Sequence, residues 1–450
     1  MKTFLIVQYI CISALCCAAP AWGRQAGVQQ EGPAPEEWTL DDCIGYALEH
    51  NTDIATGELE VESGKISLNT ARMSRLPDVS ASLGSNVYFG RSPSRDASYI
   101  DNSQISGSLG ISANIPVYQG LKIKHEIDKA KIDFEAATRN LELARKNISL
   151  NIASLFLQVM YDKELVSIAQ SQLELSSSQL ELSKGQFESG RVSHSEVVRS
   201  ESLVASDRAS LVQNENTYSL ALLDLRQAMN LPDSIAITPV MEEQELPRIE
   251  DIPTLSQIYG LSVSMHPSIR YAEASLQSSI FALKSAKSAW QPTVYLSAGY
   301  GNSVYSNLTD RSVNTNFWTQ LQGNGNEYIG LSISIPIFSR NTVRNNVRLS
   351  RLSVTRQEIL LNEARKSLRK EIEQAYFGAM AAYSSLNSAQ KALEAALLNF
   401  ENEKASLDSG RSDIYDYANA KAEVEKAQAT LAHSKYDFIL RVKILNFYMI

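Results

Sequence analysis

Residues 329–338 read IGLSISIPIF, and residues 109–118 read LGISANIPVY. In the first stretch Ile329, Leu331, Ile333, Ile335 and Ile337 alternate with Gly330, Ser332, Ser334 and Pro336. Ile105, Leu109, Ile111, Ala113, Ile115 and Val117 keep the same rhythm in and before the second. A period of two is the mark of a strand with one apolar face and one small, polar face. Val79, Ala81, Leu83, Val87 and Phe89 alternate with Ser80, Ser82, Gly84, Asn86 and Tyr88, and Val294, Leu296, Ala298 and Tyr300 with polar or glycine positions. Four strands are therefore expected, at about 78–90, 104–117, 293–305 and 327–338. A soluble sheet wet on one side gives the same alternation. Segments of this length also fit a membrane barrel, whose strands turn apolar side chains to lipid and small polar ones to a lumen. A closed barrel needs about eight strands, so four that cross a membrane must be joined by those of other chains.

Outward from these stretches the chain repeats itself. Pro116 and Pro336 lie 220 residues apart, and so do Gly190 and Gly410, which sit in the matching stretches ESGR (188–191) and DSGR (408–411). Further upstream, Pro77 and Pro292 are offset by 215, so the halves differ by a few loop residues between the strands. Pro232, Pro247 and Pro253 interrupt helix between the halves. The expected organisation is a first repeat at 38–230, a connecting region at 231–254 and a second repeat at 255–450.

From Leu121 to Phe187 there is no proline and only one glycine, Gly185. Ile152, Val159, Val166, Leu173 and Leu180 recur every seven residues, joined by Ile148 and Leu155. Ile168, Leu175 and Leu182 form a second seam two residues on, about 200° around a helix, so the helix has neighbours on nearly opposite sides. That suits a curved wall of helices better than a two-stranded coil. Val197, Val204, Leu211, Tyr218 and Leu225 continue the seven-residue spacing on a returning helix. Helical hairpins are expected at about 119–230 and 340–448, and nearly seventy residues at 1.5 Å each reach on the order of 100 Å. At the turns, Gly190 and Gly410 read as helix ends, Ser193 with Glu196 as a capping box, and Asp413 with Asp416 as acid at a helix start.

Lys2, the apolar run from Phe4 to Ala19 and the small residues around Pro20 read as a secretory signal peptide, 1–23, followed by a flexible linker, 24–37. The rival readings are a retained membrane anchor and a lipidated Cys16 or Cys17. Cleavage leaves Cys43 as the one cysteine, which excludes an intramolecular disulfide. A net charge of −8 argues against a nucleic-acid-binding surface. His50, His125, His194, His266 and His433 show no metal-ligand spacing, and neither a nucleophile elbow nor a phosphate loop is present. The residues point to no catalytic site, no cofactor and no metal. Gly323 and Gly325 with Asn324 and Asn326 read as a flexible loop before the last strand.

Signal peptide, duplicated halves, the strand-ending IPVYQG (115–120) and IPIF (335–338), and the tips around Gly190 and Gly410 together resemble the TolC-like outer membrane efflux family, from about residue 38 to 450. The resemblance implies a mainly α fold with a transmembrane β-barrel, in which each chain of a homotrimer gives four strands to one twelve-stranded barrel and its helices to a periplasmic tunnel. It implies a passive exit duct in the outer membrane, surrounded by lipid, that serves a periplasmic adaptor and an energised inner-membrane transporter; the outlet of a protein secretion system is the alternative, and a coiled-coil scaffold a weaker one. Gly190, Arg191, Val192 and Ser193 with Gly410, Arg411, Ser412 and Asp413 become the adaptor-facing tips. Asp416 matches an acid that narrows the tunnel mouth in several members, while the next such position holds Asn419.

Overall fold

A computed structural model describes residues 37–449 apart from 94, 95, 97 and 242–251. The expected signal peptide, nearly all of the 24–37 linker and part of the 231–254 connection lie outside the described residues. The first half runs α1 (Leu40–His50), α2 (Thr52–Met73), β1 (Asp78–Tyr88), a short hairpin β2 (Arg91–Pro93) and β3 (Tyr99–Asp101), β4 (Gln104–Gln119), α3 (Lys122–Glu188) and α4 (His194–Met229). The second runs α5 (Leu255–Met265), α6 (Pro267–Ser288), β5 (Thr293–Asn307), a 3₁₀ turn (Arg311–Val313), α7 (Phe317–Gly323), β6 (Asn326–Ser334), α8 (Thr342–Asp408) and α9 (Ile414–Met449). Helices of 11, 22, 67 and 36 residues recur in that order. Capping chemistry repeats as well: Thr39 with Asp42 opens α1 and Thr254 with Gln257 opens α5, each as a reciprocal capping box.

The four long strands form one antiparallel sheet in the order β1-β4-β5-β6. Its register decides what the alternation means, because directly opposed residues share a face. Leu83 stands opposite Leu109, Ala81 opposite Ile111, and Ile111 in turn opposite Tyr300. Leu296 stands opposite both Ile115 and Leu331, and Val294 opposite Ile333. One face is thus apolar across all four strands. The other pairs Ser80 with Ser112, Ser82 with Gly110, Gly110 with Gly301, and Tyr295 with Ser332. Much of the apolar face is open, Leu83 being 69 % exposed and Ile329 83 %; near its far end Asn302, opposite Leu109, is buried and its Nδ2 donates to Leu321 O of α7 at 2.6 Å.

β4 and β5 each run two residues past the expected end, to Gln119 and Asn307, while two other strands stop short. The expected strand 327–338 stops at Ser334, because its partner begins at Thr293, opposite Ser334, and is preceded by Pro292. Ile335, Ile337 and Phe338 run past the ladder, Ile337 being 96 % exposed. The first strand ends at Tyr88, before Gly90 turns the chain at a φ of 141°. By contrast β4 carries Pro116 through a register shift, two residues beyond Asn114, where the pairing with β1 starts at Asp78, so that on this side the ring's missing N–H meets no partner. The stretch read as a flexible loop is ordered: Gly323 closes α7, and Asn324 Nδ2 donates to Ser303 O at 2.7 Å. Gln320 on α7 pins this segment to β5, accepting from Tyr305 N and donating to Tyr305 O, both at 2.9 Å.

The core lies where the short helices meet the long ones. Trp38, Cys43 and Ala47 pack against Ile152, Phe156 and Val159 of α3 and Leu225 and Met229 of α4. In the second half Ile258 and Ile269 pack against Leu361, Leu368 and Ile372 of α8 and Leu445 of α9. Below these cores the buried line of α3 changes character: Ala169, Gln172, Ser176 and Ser183 are buried, while Val166, Leu173 and Leu180 of the heptad seam are half-buried and Leu182 is exposed. The expected apolar seams flank the line of closest approach, which only small or hydrogen-bonding side chains fit. Ser183 Oγ meets Ser200 Oγ at 3.2 Å, and Gln172 reaches Gln428.

Candidate functional site

The ends of the two hairpins are built alike. Helix α3 closes with Gly190 N donating to Phe187 O at 2.8 Å and Arg191 N to Gln186 O at 2.9 Å. Helix α8 closes with Gly410 N on Leu407 O at 3.0 Å and Arg411 N on Ser406 O at 2.9 Å. These are the paired bonds of a Schellman end, which places its glycine in the left-handed region; both glycines have φ of 71°. Gly190, Arg191 and Ser193, and likewise Gly410, Arg411 and Asp413, are exposed, while Val192 and Ser412 are half-buried at equivalent places.

The return helices start differently. Asp413 caps α9 with its carboxylate, accepting from Tyr415 N at 2.8 Å and Asp416 N at 3.1 Å. Ser193 occupies the corresponding position before α4, but its side chain makes no capping hydrogen bond, so the expected box with Glu196 does not close. A rotatable hydroxyl gives up a weak cap more readily than a carboxylate facing two amides at the positive helix end. Asp416 and Asn419 are both exposed on the first turns of α9, three residues apart and so on one face. Ser412 Oγ donates to Glu403 Oε2 at 2.9 Å and lies 3.4 Å from Asp416 Oδ2, tying the turn to both helices.

A groove of about 450 Å³ separates the two return helices, lined by Arg199, Ser202, Leu203 and Ser206 of α4 and by Asp413, Ile414, Tyr415 and Ala418 of α9. The second tip therefore faces the flank of α4, and the groove takes none of residues 190–193. Next to its lining, Lys421 Nζ binds Asp207 Oδ2, with side chains 3 % and 10 % exposed. Glu425 stands beside them, and its carboxyl is pushed above the usual range by burial first and by the Asp207 charge second, against the pull of Lys421. Nothing in the local sequence singles these two residues out as a pair. Asp207 stands three residues after Val204 of the seven-residue seam, where nothing local marks it, and its partner is 214 residues away.

Two segments of the chain, residues 43–231 and 258–445, match the model of the family described as outer membrane efflux protein. The outer membrane efflux protein BepC of Brucella suis is 21 % identical over 423 residues, covering 92 % of this chain and 86 % of its own. The pyoverdine export outer membrane protein OpmQ of Pseudomonas aeruginosa is 24 % identical over 394 residues, covering 82 % and 79 %. Among solved structures, CusC superposes with a TM-score of 0.77 at 14 % identity, covering 96 % of this chain and 99 % of its own. The CmeC outer membrane channel of Campylobacter jejuni also gives 0.77, at 18 % identity, covering 91 % and 85 %. The duplicated helices and the shared sheet are thus a recurring fold, and with both halves matched the chain belongs to the outer membrane efflux protein family.

Proposed function

We propose that this chain is the outer-membrane exit duct of a tripartite efflux pump. Three copies give four strands each to one barrel and their long helices to a tunnel below it. Small molecules pass passively, and a periplasmic adaptor and an inner-membrane transporter supply contact and energy. The two repeats are 38–230 and 255–450, joined by the region 231–254.

The observation that carries this reading is the sheet. Its apolar face extends over all four strands and exposes Leu83, Ile111, Leu331 and Ile333, its opposite face is mostly small and polar, and β1 and β6 leave two free edges. In a single chain those edges expose unpaired backbone groups, which lipid does not tolerate; closure with further copies satisfies them. Gly190–Ser193 and Gly410–Asp413 dock the adaptor, most of their residues being exposed at turns closed by Schellman hydrogen bonds. Asp416 lines the tunnel mouth, where three copies around an axis concentrate negative potential.

Extraction of the outer membrane in mild detergent and measurement of particle mass tests the assembly; a trimer that conducts in planar bilayers is expected, and a monomer soluble without detergent overturns the reading. Asp416→Ala should change cation selectivity in the same bilayers, and unchanged selectivity and conductance remove Asp416 from the mouth. A second reading, an outlet for secreted protein, is favoured by the toxin and drug export protein A of Aggregatibacter actinomycetemcomitans, 21 % identical over 407 residues. Co-purification of the adaptor and its transporter separates the two.

A further inference from the structure

Helix α8 begins just past the last strand with an unbalanced run of charge. Residues 339–357 hold Arg340, Arg344, Arg348, Arg351 and Arg356 and no acid; Glu358 is the first. The equivalent stretch of the first half, 119–137, holds Lys122, Lys124, Lys129 and Lys131 balanced by Glu126, Asp128, Asp133 and Glu135. There Lys122 meets Glu126 at 3.6 Å and Lys129 meets Asp133 at 2.6 Å. Arg340, Arg344, Arg348, Arg351 and Arg356 are all exposed, and among the described residues none of these five has an ion-pair partner.

Arg344, Arg348 and Arg351, spaced four and three apart, share one stripe of α8, and Arg340 sits on the turn before it. Immediately upstream, Ile335, Ile337 and Phe338 stand 64 %, 96 % and 80 % exposed beyond the end of the sheet. Apolar side chains followed directly by unneutralised guanidinium groups are the profile of a bilayer boundary. The direction of the stripe follows from its continuation. Three and four residues at a time it reaches Arg365, bonded to Glu273 of α6, and Arg369, over the ring of Tyr259 on α5. Helix α5 is a second layer laid on the long helices, and around a closed tunnel only the outside has room for it. The stripe thus faces away from the lumen.

We infer that Arg340, Arg344, Arg348 and Arg351 bind the headgroups of anionic phospholipids in the periplasmic leaflet. This rests on the outer-membrane channel reading, because it needs the strand-to-helix junction at the membrane surface. One charged patch per copy, at the second junction and not the first, would give the assembly a ring of evenly spaced lipid clamps.

The test is native mass spectrometry of the detergent-extracted assembly with equal amounts of phosphatidylglycerol and phosphatidylcholine. The wild-type protein should retain phosphatidylglycerol preferentially, and the quadruple variant R340Q/R344Q/R348Q/R351Q should bring the ratio of the two adducts to about one, since the preference comes from these charges. Excess inorganic phosphate should not displace the lipid. Equal adducts on the wild type, displacement by phosphate, or an unchanged ratio in the variant overturns the proposal. If the variant does not assemble, a photoreactive phosphatidylglycerol on the wild type decides: labelling within 335–351 supports the clamp, and labelling elsewhere sinks it. The channel reading stands or falls separately, on the wild type's mass and conductance.

Discussion

Lys421 and Asp207 meet with almost no water at either side chain. Removing one partner of a buried pair leaves an uncompensated charge, a cost of about 3–5 kcal/mol, whereas replacing both with apolar groups is near neutral. Lys421→Met should therefore lower the unfolding midpoint in denaturant strongly, and Asp207→Leu with Lys421→Met should restore most of it. Glu425 titrates in the same cluster, with its folded carboxyl above the ordinary value of 4.5. The folded chain then binds this proton more readily than the unfolded one, and stability falls as pH rises from 4.5 through the raised value. Glu425→Gln should be more stable than the parent at neutral pH, with the gain vanishing once the pH drops below about 4.5, as thermal unfolding across pH can check. His266 works in the opposite sense: burial first and Lys146 second lower it from 6.5 to about 4. Acid between those values favours the unfolded chain, which takes up the proton first. His266 accepts from Ser268 N as the cap of α6, so His266→Asn should keep the cap and flatten the stability profile over that window.

The helical tips were legible as local chemistry, since a glycine after a proline-free run and an acid at the next helix start act within a few residues. Both glycines adopt φ of 71° with nothing near a would-be Cβ, so only backbone strain opposes substitution. Gly190→Ala and Gly410→Ala should each cost about 1 kcal/mol locally, seen as faster hydrogen exchange at the amides of residues 190–191 and 410–411. Unchanged exchange would show the Schellman ends are not what holds the tips. The seams were legible in part. Ile152, Val159 and Leu225 do enter the core, but in the lower hairpin the buried line passes to Ala169, Ser176 and Ser183. Periodicity marks the apolar flanks of a helix; it does not mark a line where small residues let two backbones approach. Loop order escaped in the same way, since Gln320 acts through Tyr305, fifteen residues off in chain and across a turn.

For the molecule as a whole, the sheet makes the sharpest prediction. Leu331 lies on the apolar face and Ser332 on the other. An arginine on a lipid face costs roughly 2–4 kcal/mol near the bilayer midplane. Leu331→Arg should thus reduce the protein recovered in the outer membrane, while Ser332→Arg should assemble and change conductance. Equal recovery of both would refute the assignment of faces.

Strand alternation, the 215 and 220 offsets, the lengths of the long helices, the glycines that end them and the Asp413 cap were present in the chain itself, because each arises from interactions within a few residues or from a copy of the same pattern, whereas the expected Ser193–Glu196 box does not close. The register that merges four alternations into one apolar face, the premature end of β6, the groove between α4 and α9 and the Asp207–Lys421 pair came only with the folded chain. Each of these joins residues far apart in sequence, and a pairing across such distances leaves no periodic trace in either partner.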